Sequence, residues 1–269
     1  MGEFYQKRSI YVIVPFLSWS LIYLIYPGVT KSGSVPHTFG ALLETLVMGT
    51  SYYHLYFLFV MTQFYLLFPF LRHLFQKWQG ITLLPLMLGI TLAAQMLTWS
   101  EVQEFIGIHM NEVTVRRSLF PWLFYFAFGG WLGLHPEESL HQLRRFPWTL
   151  LSVLLLSSAV LLLHQMVFLD RGGYHTLMTI LLSLMVLVLG FRLPQRFRFN
   201  WVETAGRYSF GIFLIHPMLL HSLNRLAEGW MLEGTGLWFI LWSVSLFAVS
   251  LAVTKMLDRT PFGYLLKGR

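Results

Sequence analysis

Few side chains in this sequence could do chemistry in an apolar setting, and histidine leads them. His216 sits in an apolar run and is followed directly by Pro217. The proline lacks an N–H, so it frees the carbonyl one turn back and bends a helix beside the ring. With Tyr208 as the start of the helix, His216 is eight residues in. At a rise of about 1.5 Å per residue it is then about 12 Å deep. Ser209, Ile212, Phe213, His216 and Leu220 share one helical face by their three-and-four spacing. Ionisable groups at membrane depth are costly and commonly mark a pathway or a site. Two readings stand for His216: a ring that handles protons in a buried cavity, or a neutral ring bonded to a backbone carbonyl to fix packing.

His54 stands beside Tyr52, Tyr53, Tyr56 and Phe57 at the outer end of another apolar run. Histidine serves as a general base near neutral pH, and it also sits naturally in an interfacial aromatic belt. His164, His175 and His221 fall toward the same outer side and read as belt or solvated residues. Lys7 and Arg8 stand at the inner mouth of the first apolar run. They either anchor the helix on the cytoplasmic side or bind a phosphate-bearing donor, for which guanidinium geometry is suited. Glu203 and Arg207, four apart, are spaced to pair on a helix.

Several chemistries have no support. The sequence has no G-x-S-x-G elbow, phosphate loop, G-x-G-x-x-G or H-E-x-x-H, and no pair of carboxylates within one apolar run. No metal site is expected. The absence of cysteine excludes disulfides, thiol catalysis and thiolate metal ligands.

These residues must be positioned by helices in a bilayer. Of 269 residues, 56% are hydrophobic and only 12% charged, with a mean hydropathy of +0.60. A soluble domain carries charge on about a quarter of its residues. Eight apolar runs cover residues 10–26, 52–71, 81–99, 118–134, 147–168, 174–191, 208–223 and 236–257. Each approaches the roughly 17–25 residues that cross a bilayer as a helix. Residues 38–50 are too short to span and read as an interfacial or re-entrant helix. The run at 10–26 contains Pro15 and no small-x-small cleavage site, so it reads as a retained helix rather than a signal peptide. The expectation is an all-α, polytopic bundle of about eight spans forming a single domain over residues 1–269.

The net charge of +7 does not point to nucleic acid, because the basic residues are scattered through short loops. With the N-terminus inside, 14 Lys and Arg residues face the cytoplasm and 5 face outward. That asymmetry sets the orientation, and an even number of crossings returns the C-terminus inside. The expected location is the cell membrane, with both termini cytoplasmic. Trp19, Trp99, Trp122, Trp148 and Trp201 fall near span ends as belt anchors, and Gly129 with Gly133 forms a small-xxx-small pair for close helix approach.

Three stretches together resemble membrane acyltransferase family 3, in its intercellular-adhesin-type subgroup. Residues 4–16, FYQKRSIYVIVPF, are similar to the family's F-x-x-(K/R)-R…P-(Y/F) motif. Residues 54–69, HLYFLFVMTQFYLLFP, resemble its histidine-led helix, and residues 206–217, GRYSFGIFLIHP, its G-x-x-S-(Y/F)-G-(I/L)-(Y/F)-L-I-H-P segment. Pro261, Phe262 and Gly263, with Gly268 and Arg269, fit its close. There are departures. Tyr11 stands where the second arginine of an R-x-x-R motif is usual, and Phe213 where tyrosine is frequent. The family usually has two further spans ahead of this point, the first carrying an arginine–histidine pair held to be catalytic.

The resemblance implies an integral membrane enzyme that moves an acetyl or succinyl group from a cytoplasmic acyl-CoA to a sugar of a cell-surface glycan. Acyl-CoA would be a co-substrate, with no bound cofactor, and the bilayer and the glycan acceptor would be the partners. Lys7 and Arg8 would contact the donor, His54 and His216 would handle protons, and Ser209 and Pro217 would shape the site. The alternatives are an exporter of lipid-linked sugars, or a catalytically silent family member that supports a partner enzyme.

Overall fold

The computed structural model of the chain describes residues 2–26, 36–78, 80–168, 177–192, 200–227, 236–261 and 263–267. Every regular element among them is helical. In chain order the first are α1 (Gly2–Ile25), α2 (Phe39–Met48), α3 (Tyr56–Lys77), α4 (Gly80–Met96), α5 (Ser100–Ile106) and α6 (Glu112–Arg117). There follow α7 (Leu123–Leu134), α8 (Pro136–Arg145), α9 (Trp148–Phe168), α10 (Leu177–Arg192), α11 (Asn200–Ala227), α12 (Gly236–Asp258) and α13 (Gly263–Lys267). Each expected span overlaps a helix, and the short stretch at 38–50 forms α2. Among the described residues, three helices are long and apolar enough to cross a membrane by length and composition: Gly2–Ile25, Tyr56–Lys77 and Trp238–Asp258. Five more apolar helices are shorter. His175, Lys31, Arg171, Arg196 and Arg198 lie outside the described residues.

The chain divides into two compact units, Met1–Tyr65 with Arg198–Arg269, and Leu66–Phe197, so the boundary falls inside α3. The first unit is built on α1 and α11. Val12, Phe16, Trp19 and Tyr23 of α1 pack with Leu55, Leu58, Leu214 and Ile215 into one buried cluster. Lipid is as apolar as these side chains, so close packing and interhelical hydrogen bonds must hold the helices together. Two tyrosines supply such bonds. Tyr23 Oη donates to the Leu214 carbonyl at 2.8 Å, and Tyr26 Oη to the Met218 carbonyl at 3.4 Å. The α11–α12 pair is tied at one end by Tyr208 Oη to Asp258 Oδ2 (2.8 Å) and at the other by Trp242 Nε1 to Asn224 Oδ1 (2.6 Å).

In the second unit, buried Thr91 on α4 bridges two backbone groups. Its hydroxyl donates to the Phe120 carbonyl and accepts from the Phe124 N–H. This matters because the 3₁₀ turn Phe120–Trp122 leaves backbone groups without helical partners. Leu151 of α9 packs with Met185 and Val188 of α10, and the Arg192 guanidinium lies over the Trp148 ring and donates to the Phe146 carbonyl.

Four expectations are corrected. Trp19 is no belt anchor: it is 3% exposed, and its Nε1 donates to the Leu266 carbonyl of α13 at 2.6 Å. Gly129 and Gly133 do not seat a neighbouring helix, since a Cβ on either would meet nothing within 4 Å. The close approach is at Gly130, where a Cβ would meet the Phe75 ring at 2.5 Å. Lys7 and Arg8 are within helix α1 rather than in a loop before it. Glu203 and Arg207 form no ion pair among the described residues; instead they line a small cavity with Tyr208 and Lys255.

Candidate functional site

The first unit holds the sequence-flagged residues together. Gly49 begins the arrangement. It ends α2 with φ +65°, a left-handed conformation that glycine adopts freely. A Cβ there would meet the Leu55 carbonyl oxygen at 2.6 Å, so the following turn folds back onto the glycine. That turn carries His54 just ahead of α3, with Leu55 N–H bonded to the Tyr52 carbonyl and Phe57 N–H to the His54 carbonyl. Nothing in composition or span length identified Gly49; a glycine directly after an apolar helical run was the available signal.

His54 is not an interfacial belt residue. It is 6% exposed and enclosed by rings: Tyr23 at 5.3 Å between centroids, Tyr52 at 5.8 Å, Tyr53 at 5.5 Å, Phe213 at 5.1 Å and His216 at 5.6 Å. Neither ring nitrogen completes a well-formed hydrogen bond among the described residues; the ring has only a weak approach to the Leu214 backbone, whose carbonyl already accepts from Tyr23. A buried polar group in that condition calls for an explanation, and a reacting or transferred group is one.

His216 makes the backbone bond that its packing reading expects. Pro217 supplies no N–H to the Phe213 carbonyl, and His216 Nδ1 takes the vacant place at 2.9 Å, with the Ile212 carbonyl at 3.2 Å. Two carbonyl acceptors require Nδ1 to carry the hydrogen, so in the neutral ring Nε2 is the basic nitrogen. The bond that fixes helix packing thereby also selects the tautomer.

Phe213 also lines a cavity of about 700 Å³. Lys7, Arg8 and Tyr11 of α1, Phe57 and Tyr65 of α3, and Ser209 of α11 are among its walls. The Arg8 guanidinium lies over the Phe4 ring at 5.4 Å and the Tyr65 ring at 5.3 Å and bonds the Tyr65 hydroxyl, which holds it at the cavity. Lys7 is more exposed and lies 3.9 Å from Glu3. Ser209 Oγ donates to the Gly206 carbonyl. The helix beneath these residues is unusual. Pro15 cannot donate to Tyr11, and one turn earlier the ladder widens into a π-helical stretch, Ser9–Ile13, in which the Val14 N–H reaches the Ser9 carbonyl. Such bulges are frequent at functional sites, and this one was not foreseen.

The structure therefore brings His54 and His216 together with Phe213, with Pro217 next to His216, and gathers Lys7, Arg8 and Ser209 around a cavity that Phe213 also lines. The His221 ring lies 5.8 Å from that of Tyr26, and its Nε2 is buried without a hydrogen-bond partner among the described residues, so it is not a solvated histidine. No group of three His, Asp or Glu side chains that could hold a metal occurs among the described residues.

Comparison with known proteins adds two findings. The family model of acyltransferase 3, described as an acyltransferase domain, matches residues 1–257. Proteins named "Probable poly-beta-1,6-N-acetyl-D-glucosamine export protein" from Staphylococcus aureus strains MSSA476 and MW2 are each 24% identical to the chain over 235 residues. The match covers 82% of this chain and 63% of each relative, so the chain spans less than two thirds of the length of these curated relatives. No solved structure gives a significant match.

Proposed function

We propose, from the premise that the chain belongs to the acyltransferase 3 family, that it transfers an acyl group of acetyl or succinyl type from a cytoplasmic acyl-CoA to a sugar hydroxyl of a cell-surface polysaccharide. The observation that carries this reading is the shared wall: Phe213 lines the basic cavity and touches both histidines. A donor whose phosphates rest on Arg8 and Lys7 would then extend its acyl end toward His54 and His216. The reading takes residues 1–269 as one functional domain crossing the plasma membrane about eight times, with both ends cytoplasmic, as the 14-to-5 cation asymmetry implies.

The chemistry is proton removal coupled to acyl transfer. His216 Nε2 accepts the proton of the sugar hydroxyl as its oxygen attacks the thioester carbonyl. The carbon–sulfur bond breaks, and the departing thiolate takes up a proton from the imidazolium, which returns the ring to its neutral form. His54, whose ring is 5.6 Å from that of His216, would share the proton. Ser209 and Pro217 shape the route, the proline by making the Nδ1 bond available. Mass spectrometry of surface glycans from cells with and without the gene tests the proposal. Acylated sugars lost with the gene and restored by it support transfer, and identical glycans refute it.

The name of these relatives favours one second reading, export of a sugar polymer. Vesicles containing the chain that move such a polymer without any acylated product would favour export over transfer.

A further inference from the structure

The second unit holds a cavity that the proposed reaction does not use. It measures about 550 Å³ and lies between α3 and α7. On α3 its walls are Phe68, Arg72 and Phe75, spaced four and then three apart, so they form one face. On α7 they include Phe126, Gly129 and Gly133, again on one face. Phe75 acts as a spacer. Its ring lies against Gly130 and 6.4 Å from that of Phe126, which keeps the helices from closing.

Two features make this a groove for a ligand rather than loose packing. A Cβ at Gly129 or Gly133 would meet nothing within 4 Å, so the glycines leave open space where even an alanine pair would narrow the channel. Arg72 is the sole charged side chain on the walls, and it has no ion-pair or hydrogen-bond partner among the described residues. Arg72 precedes the last residue of α3 by five positions, about 8 Å at helical rise, on a helix long and apolar enough to span. A cation at that depth reaches the headgroup layer while its stem lies along apolar surface. An apolar trough floored by glycine and ending in one unpaired guanidinium matches a molecule with a phosphate at one end and an acyl chain behind it.

We infer that the groove between α3 and α7 binds one anionic phospholipid of the inner leaflet, its phosphate on Arg72 and an acyl chain over Gly129 and Gly133. The site is separate from the donor cavity and does not depend on the acyltransferase reading.

The test uses the full chain in detergent with native mass spectrometry, counting retained phosphatidylglycerol against phosphatidylcholine of the same acyl chains. One phosphatidylglycerol should be retained preferentially by the wild-type protein. Arg72→Gln should weaken retention on the order of tenfold, because a hydrogen bond to a charged group is lost. Arg72→Lys should restore part of it. Gly133→Leu, which keeps the charge and fills the trough, should also release the lipid. Circular dichroism of each variant establishes that it folds; a variant that does not is replaced by Gly129→Ala, expected to weaken retention in the same direction. Equal retention by wild type and Arg72→Gln, or of both lipids, overturns the inference. So does displacement by glycerol phosphate alone, which marks a free phosphate site, or by an equimolar acyl-CoA, which marks a donor site.

Discussion

The hydrogen bond that His216 Nδ1 shares between the Phe213 and Ile212 carbonyls allows the structural and chemical roles of that ring to be separated. Asparagine places its amide nitrogen near the position of Nδ1 but has nothing at Nε2. His216→Asn should keep the bond to the Phe213 carbonyl and unfold within about 1 kcal/mol of wild type. His216→Ala leaves that carbonyl without a donor, since Pro217 has no N–H to offer, and should cost about 1–3 kcal/mol. Both variants remove the basic nitrogen, so both should lose about 10²–10⁴-fold in transfer rate if Nε2 takes the sugar proton. Pro217→Ala provides a backbone N–H for the same carbonyl. The helix should gain stability while the ring loses its fixed tautomer, so rate falls as stability rises. The assay is thermal unfolding and acyl transfer measured on the same purified preparations. A wild-type rate in His216→Asn refutes proton handling by this ring. Wild-type stability in His216→Ala refutes the carbonyl bond as its anchor.

Other outcomes follow from single contacts. Arg8→Gln should raise KM for acyl-CoA with little change in kcat, and Arg8→Lys should recover it only in part, because an ammonium lacks the planar face that rests on Phe4 and Tyr65; an unchanged KM removes the donor role. Gly49→Ala combines a left-handed φ with a Cβ against the Leu55 carbonyl, and should cost about 2–4 kcal/mol in thermal unfolding and displace His54. Trp19→Phe removes the bond to the Leu266 carbonyl, and limited proteolysis should then cut faster near α13 while α1 stays protected.

The helices were legible because apolar length needs no tertiary knowledge: a run long enough to cross a bilayer satisfies its own backbone only as a helix. The same reasoning found the ends of α11 poorly. Residues 208–223 were expected, whereas the helix extends over Asn200–Ala227, since polar ends such as Glu203 and Arg207 carry no hydropathy signal. His216 with Pro217 could be read because proline chemistry is local, and the carbonyl it frees is fixed by counting back four residues. His54 could be singled out but not placed. Its burial depends on Tyr23 from α1 and Phe213 from α11, which lie far from it in sequence. Trp19 failed for a related reason. An aromatic near a span end reads as an anchor unless its distant acceptor, here Leu266, is known. Gly129 and Gly133 show that spacing alone does not distinguish a helix-packing glycine from a groove-lining one, because both leave a Cβ-sized gap and only the neighbour decides.

Phe213 is where transfer and export make different demands. For transfer, only an acyl group must pass from the Arg8 cavity to the histidines, beside the single ring of Phe213. For export, a sugar polymer following the same route must push Phe213, Phe57 and Leu58 aside over the full breadth of a ring. Phe57 and Phe213 are packed edge to face at 5.8 Å, and Leu58 is 2% exposed, so that displacement disrupts the cluster that seats α1 against α11. Phe213→Trp enlarges the barrier and keeps it aromatic, adding one indole N–H. Under transfer, the variant should slow delivery of a succinyl group more than of an acetyl group, by a ratio of several-fold, since a pocket discriminates by about 1–3 kcal/mol per misfitting group. Under export, polymer appearing outside vesicles should fall with no dependence on which acyl-CoA is supplied. Competition between acetyl-CoA and succinyl-CoA on the purified variant reads the ratio directly; a ratio equal to that of wild type sinks the passage of the acyl group beside Phe213.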